Sequence, residues 1–316
     1  MGTEGVDIEV LRKFRFEKIL NDDPLVHSLW VLGRLPTGSN PLVYSTAIIS
    51  LQKTHLSLDT ADTLVQDLVE QVKPIENNDI YHWHFGWLAH SPKLPDVKIN
   101  VICPATEAHI RKYSRQRIIM VKETPEIYRK IVQPYIKSFP PSRFEWVYNI
   151  LSHTVEAHKI LYEDDSQEVG FVILPDMKWD AETVSSLYLV AITHARSIAT
   201  MRDLTREHIQ MLKAIRREAG KLVRERWGLD GEQSLRFYIH YQPSYYHFHV
   251  HIVNANYTGF KGICVGQAHI LEDVISLLEL SPATGPTLLS KMTFTYELGE
   301  HHGLFQPMRE AQISLQ

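Results

Sequence analysis

The sequence predicts an α+β chain in two parts, and three observations carry that prediction. The first hundred residues read mainly as strands separated by turn signals; after about residue 120 helices and strands mix; and residues 235–253 hold two alternating strands suited to antiparallel pairing. The expected division is a mostly β part over 1–120 and a part over 121–316 in which helices segregate against an antiparallel sheet.

In the first part, "HSLWVLGRL" (27–35), "LVYSTAIISLQ" (42–52), "DIYHWHFGWL" (79–88) and "DVKINVIC" (96–103) are rich in β-branched and aromatic residues. Turn residues punctuate them at 36–41 and 91–96. A helix is expected over 59–72, where Leu64, Leu68 and Val72 recur at a four-residue step. A second is expected over 104–116, with Thr106 as N-cap. In the second part, "TPEIYRKIVQPYI" (124–136) reads as a helix capped by Thr124 with Pro125 in its first turn, and 142–153 as another. Strands follow at 158–164 and 168–175, then two longer helices near 180–195 and 203–227. The last of these is amphipathic, with Ile209, Leu212, Ile215, Ala219 and Leu222 inside and a mostly basic outer face, read as solvated surface.

Composition narrows the function classes. A formal net charge of −4 argues against a protein that coats long nucleic acid, yet leaves room for a small anionic ligand held by a few cations. Two cysteines, Cys103 and Cys264, make no disulfide framework. The opening residues lack a secretory pattern and, with Val6 at the sixth position, a myristoylation pattern; no apolar run is long enough to span a bilayer. A soluble intracellular protein is expected.

The densest chemistry lies in "YHFHVHIV" (246–253). His247, His249 and His251 alternate with Phe248, Val250 and Ile252, so three imidazoles share one face of a strand, about 6.6–6.8 Å apart. The preceding strand, "LRFYIHY" (235–241), meets it across a short polar turn. A register pairing Ile239 with Phe248, Phe237 with Val250 and Leu235 with Ile252 makes one face apolar and gathers His240, Tyr238 and Arg236 opposite the three histidines. Such a face can line an elongated multi-phosphate ligand, with one neutral imidazole as nucleophile and the others holding oxygens. Two other readings stay open: metal ligation, for which three histidines in line close a tetrahedron poorly, and a merely polar sheet face. His82 and His84 in "YHWHF" repeat the spacing and are read as surface or interface.

"HYQPSYYHFHVHIV" (240–253) resembles the signature of the histidine-triad hydrolases and transferases, and its Pro-Ser-Tyr-Tyr stretch resembles the scavenger mRNA-decapping enzymes among them. "NDIY" (78–81), "PATEAHIRKY" (104–113), "WVYNIL" (146–151) with Glu156, and "ILPDMKW" (173–179) match that family in order, so the likeness covers nearly the whole chain. The resemblance implies a C-terminal catalytic domain, an N-terminal domain exchanged between protomers of a homodimer, and a cytoplasmic location, with the nucleus as a second one open. It implies cleavage of the residual cap, or a short capped RNA, into 7-methylguanosine monophosphate and a diphosphate, with no cofactor or metal. It casts His249 as nucleophile, and His247, His251 and His240 as phosphate-holding groups that help the diphosphate leave, with Ser244 and Tyr245 adding hydroxyl donors. Trp146 and Met177 would sandwich the methylated base, Glu156 would accept from the guanine edge, and Asp176, Lys178, Lys112 and Tyr113 would contact the nucleotide. The sequence departs from the pattern at Gln267, where Arg is expected, leaving the cation's role to Lys261. Two alternatives stand beside this: a histidine-triad hydrolase of dinucleoside polyphosphates, and a weakly catalytic cap-binding regulator.

Overall fold

A computed structural model of the chain describes residues 7–37, 43–54, 56, 61–90, 95–258 and 261–313, Lys261 by its backbone alone. Most of the expected turns at 36–41 and 91–96, the first residues of the expected 59–72 helix, and the role given to Lys261 fall outside them. The chain divides into two compact units, Met1–Gln116 and Arg117–Gln316.

The first unit opens with a single helical turn, α1 (Ile8–Leu11), capped by the Asp7 carboxylate. Strands β1 (Arg15–Asp23), β2 (Ser28–Pro36) and β3 (Tyr44–Lys53) form an antiparallel sheet that β6 (Val97–Ile102) completes, in the order β1-β2-β3-β6. Alternation gives it two apolar faces. Val31, Leu35, Ala47 and Ile49 pack with Val10, Leu11 and Phe14; Leu20, Leu32 and Ile48 pack with Ile110 and Tyr113 of α2 (Glu107–Tyr113). The expected helix over 59–72 is reduced to one π-helical turn, Leu64–Leu68, and Val69 begins strand β4 (Val69–Asn78). Its partner is β5 (Tyr81–Leu88), whose backbone groups need a ladder that 69–78 supplies. Apart from half-buried Val69, every residue of this hairpin's two strands is exposed.

The second unit carries a six-stranded antiparallel sheet. In chain order its strands are β8 (Tyr162–Asp164), β9 (Phe171–Pro175), β10 (Tyr188–Thr193), β11 (Leu235–His240), β12 (His249–Asn254) and β13 (Ala268–Ile270). In space they run β13-β11-β12-β10-β9-β8. Separately, β7 (Ile118–Glu123) pairs with β14 (Phe294–Gly299). Short helices α3 (Pro125–Ile127), α4 (Gln133–Lys137) and α5 (Glu145–Leu151) precede the sheet, the first capped by Thr124 as expected. The long helix α6 (Ile209–Trp227) lies between β10 and β11, and α7 (Leu271–Glu279), α8 (Leu288–Lys291) and α9 (Phe305–Ile313) follow β13. Among the described residues no helix is long and apolar enough to cross a membrane.

The segment expected as a helix near 180–195 is instead the central strand β10. All six of its residues are buried, because both faces of the sheet are covered there. A strand in that position is a continuous apolar run without alternation, which periodicity cannot tell from a buried helix. On one face Leu189, Ala191, Phe237, Val250 and Ile252 join Leu212, Ile215 and Ala219 of α6 in the main core. On the other, Val172, Leu174, Val190 and Ile192 pack against Val147 and Ile150 of α5. The basic outer face of α6 is largely neutralised within the unit: Lys213 pairs with Glu279, Arg216 with Glu232 and Glu272, Arg217 and Lys221 with Glu218.

The β11–β12 register also differs from expectation. Phe237 faces Ile252 and Tyr238 faces His251, with Arg236 opposite Val253 and Leu235 opposite Asn254. The shift is two residues, so every side chain keeps its expected face. A tight turn is prevented because Tyr241 and Gln242 are drawn into a buried network instead. The Arg202 guanidinium donates to the Glu123 carboxylate at 2.7 Å and to the carbonyls of Leu289 and Met292 at 3.1 Å; the Tyr241, Gln242 and Tyr296 side chains donate to the same carboxylate at 2.5–3.0 Å. Residues 241–248 therefore form a longer connection. Arg236, expected on the histidine face, spends its guanidinium on the carbonyls of Ala255 and Tyr257.

This network ties β7, the 201–203 turn and the residues just after β11 into one knot around a single carboxylate. Glu123→Ala strands the Arg202 charge in a dry interior and is expected to cost about 3–5 kcal/mol. The check is the urea midpoint of the full chain followed by tryptophan fluorescence.

Candidate active site

The histidine face begins where the apolar face of α5 ends. Val190 and Ile192 of β10 sit opposite His251 and His249, so the same sheet face is aliphatic on β9 and β10 and imidazole on β12. Parity places them there: one strand cannot present His249 and His251 without giving Val250 and Ile252 to the main core.

All four histidines are buried. Burial disfavours the imidazolium and pushes each below its ordinary 6.5, His249 to about 4. Neutral imidazole has one N–H, and the hydrogen bonds say where it goes. His247 Nε2 lies 2.7 Å from the Thr193 carbonyl, and His240 Nε2 lies 2.6 Å from that of Gly262; both donate from Nε2. His249 Nδ1 lies 2.8 Å from the His247 carbonyl and donates to it, which leaves the lone pair on Nε2. That nitrogen is buried and has no hydrogen-bond partner among the described residues, as is Nε2 of His251. The His240 ring lies 4.3 Å from that of His251, and the His249 ring 4.9 Å, centre to centre.

Aromatic rings connect this nucleophile-like nitrogen to the surface. Tyr245 stacks on His249 at 4.1 Å and 11°, and Trp146 of α5 meets Tyr245 edge-on at 4.8 Å. Trp146 is 46% exposed, so part of its ring reaches solvent. Burial raises the Tyr245 phenol, keeping it protonated as a donor. Ser244, next to it, is exposed.

The turn after β9 brings a second group. The Asp176 backbone N–H donates to the Tyr188 carbonyl, its carboxylate accepts the Lys178 N–H at 2.9 Å, and Lys178 Nζ lies 5.4 Å from the Tyr188 ring centre. Met177, between them, is 96% exposed. Glu156 takes a left-handed backbone (φ 56°) and pairs with Lys159 at 3.1 Å. Lys112 and Tyr113 belong to the first unit, on α2, where Tyr113 stacks on Trp30 at 4.2 Å. Gln267, at the departure from the family pattern, accepts the Tyr241 backbone N–H on its carbonyl. Among the described residues no group of three or more His, Cys, Asp or Glu is arranged to hold a metal ion.

Two contributors escaped the sequence reading. Tyr188, within a segment expected as helix, places its hydroxyl 2.9 Å from His251 Nδ1. Arg196 lies 4.1 Å over the Tyr148 ring, whose edge meets His247 at 5.8 Å. The first could have been found by reading 188–193 as a strand, since its even-numbered positions share the histidine face. No local signal marks the second.

The chain matches two family models, "Scavenger mRNA decapping enzyme (DcpS) N-terminal" over residues 9–116 and "Scavenger mRNA decapping enzyme C-term binding" over 145–264. Among characterised relatives it is 40% identical over 309 residues to m7GpppX diphosphatase of Schizosaccharomyces pombe, covering 97% of each chain. It is 36% identical over 299 residues to that of Mus musculus, covering 95% of this chain and 86% of the relative. To that of Ascaris suum it is 34% identical over 296 residues, covering 94% and 93%.

The depressed histidines carry a pH consequence. Between about 4 and 6.5 the unfolded chain binds protons at these sites that the folded chain does not, so stability falls as pH falls through that window. For His249 alone, moving from pH 7 to 5 should remove about 2 kcal/mol. Thermal unfolding of wild type and His249→Asn at the two pH values measures it as a smaller acid loss in the variant.

Proposed function

The chain belongs to the scavenger mRNA decapping enzyme family, and from that premise we propose that it hydrolyses m7GpppX caps through a phosphohistidine on His249. The observation that carries the mechanism is the His249 hydrogen bond: with Nδ1–H given to the His247 carbonyl, the Nε2 lone pair is left buried with no hydrogen-bond partner among the described residues. Burial keeps that lone pair free of a proton at neutral pH.

The reaction is written in two steps. His249 Nε2 attacks the phosphorus nearest 7-methylguanosine, and the bond from that phosphorus to the bridging oxygen breaks, releasing a nucleoside or oligonucleotide diphosphate. Water then attacks the same phosphorus, the P–N bond breaks, and 7-methylguanosine monophosphate leaves. His251 and His240, with Lys178 close by, line the space the phosphates occupy. The cationic base stacks on the exposed face of Trp146, one ring removed from Tyr245 and two from His249. Met177 closes on its other face, a soft apolar contact that is free of neighbours until then. Glu156 turns from Lys159 to the guanine edge, a small loss because a surface pair contributes little.

The same reading includes a homodimer, supported by the β4–β5 hairpin. Tyr81, Trp83, Phe85 and Trp87 alternate onto one face of an exposed two-stranded ribbon. Such a ribbon is marginal alone, and a patch of that size calls for cover by a second copy.

With methylated cap dinucleotide, product analysis should show 7-methylguanosine monophosphate and nucleoside diphosphate. His249→Asn should lower turnover by at least about 10⁴-fold with cap-analogue affinity retained. Unmethylated cap hydrolysed equally well would overturn the substrate assignment and favour a general dinucleoside polyphosphate hydrolase. Light scattering should give twice the 36.5 kDa chain mass, and Trp83→Ser with Phe85→Ser should shift it toward the monomer.

A further inference from the structure

His251 differs from the other histidines of the cluster in one respect. Its hydrogen-bonded nitrogen meets a phenol, Tyr188 Oη at 2.9 Å from Nδ1, where the others meet backbone carbonyls. A carbonyl can only accept, so it forces the imidazole to donate; a phenol can do either. What Tyr188 does is decided by Tyr238, whose hydroxyl donates to Tyr188 Oη at 3.2 Å. With an incoming proton on that oxygen, the Tyr188 proton is directed at His251 Nδ1. Both tyrosines are fully buried, and burial pushes the Tyr188 phenol up to about 12, so each keeps its proton. The rings are fixed as well as the hydroxyls: Tyr238 stacks on His251 at 5.1 Å and 22°, and Tyr188 meets it edge-on at 5.6 Å.

We propose that Tyr188 and Tyr238 are positioning residues that hold His251 as its Nε2–H tautomer, opposite to the Nδ1–H tautomer of His249. Two histidines two positions apart on β12 then carry different groups at Nε2: a lone pair on His249 and a donor on His251, both buried and neither hydrogen-bonded among the described residues. The role assigned to that donor rests on the decapping reading. It hydrogen-bonds the bridging oxygen that becomes the terminal oxygen of the leaving diphosphate as the P–O bond breaks. A wrong tautomer would turn the His251 lone pair toward an anion and repel it.

Imidazole ¹⁵N chemical shifts in the full-length protein test the tautomer without reference to activity. Signals are assigned by their loss in His251→Asn and His249→Asn. The wild type should show a pyridine-type nitrogen at Nδ1 of His251 and at Nε2 of His249. Tyr188→Phe should shift His251 toward the Nδ1–H form and lower kcat on methylated cap dinucleotide by about 10–100-fold, with KM changed less than about twofold. Tyr238→Phe, which leaves Tyr188 in place, should show a smaller loss of the same kind and carries the test if Tyr188→Phe does not fold. An Nδ1–H pattern at His251 in the wild type overturns the proposal, as does unchanged kcat in both variants. A wild type inactive on the methylated cap would instead overturn the decapping reading, while the ¹⁵N shifts would still decide the tautomer.

Discussion

Everything at this site follows from putting four imidazoles where water does not reach. A dry imidazole is neutral, has one proton to give, and must give it to something fixed. Around β12 three of the four give it to backbone carbonyls, and His251 is held instead by a phenol at its Nδ1. The lone pairs and N–H groups left over are thereby aimed, with no charged partner needed to hold the rings. The cost is that the folded state resists protonation there, and the sheet must be stable enough to bear it. Its doubly covered centre, with α6 against one face and α5 against the other, supplies that stability.

The Glu123–Arg202 network serves the same site from behind. Its carboxylate collects four side-chain donors, two of them from residues immediately after His240. A buried ion pair is weak evidence for stability, because desolvation offsets most of its attraction. Its place here is geometric: two of its donors, Tyr241 and Gln242, are the residues at which β11 gives way to the 241–248 connection. That connection is long enough to fold Tyr245 back over His249. A tighter hairpin would keep the histidines on their face but lose the ring that links them to Trp146.

How much of this was legible in the sequence divides along physical lines. Face assignment was legible, because alternation is a property of each strand by itself; Phe248, Val250 and Ile252 had to oppose the histidines whatever the register. The register was not, since a shift of two preserves every face and is decided by Arg202 and Glu123, far away in the chain. Strand β10 was missed for a related reason. Six buried residues from Tyr188 to Thr193 show no period, because both their faces are covered by elements that sequence does not place. Val69–Asn78 was read partly as helix because a four-residue apolar step fits a helical turn, and only its pairing with β5 makes it a strand. The proposed base-binding set rests on resemblance alone; Trp146 taken in isolation is an ordinary helix aromatic.

The candidate site is asymmetric, and the asymmetry bears on how binding energy would be used. At the phosphate end the histidines are ordered, buried and hydrogen-bonded before any ligand arrives. At the base end Trp146 is half exposed, Met177 almost wholly so, and Glu156 is occupied with Lys159. On the proposed decapping reading, ordering therefore remains to be done at the Trp146 end and is already done at the histidine end. A cap that stacks well on Trp146 gains energy remote from the scissile bond. That energy can be spent drawing a highly hydrated triphosphate out of water against buried, neutral imidazoles, a step that is unfavourable by itself. A nucleotide without the cationic base would meet the same aimed histidines but lack the means to enter their dry surroundings. On the proposed decapping reading, discrimination for the methylated base is exercised by the open end of the site and expressed at the closed one.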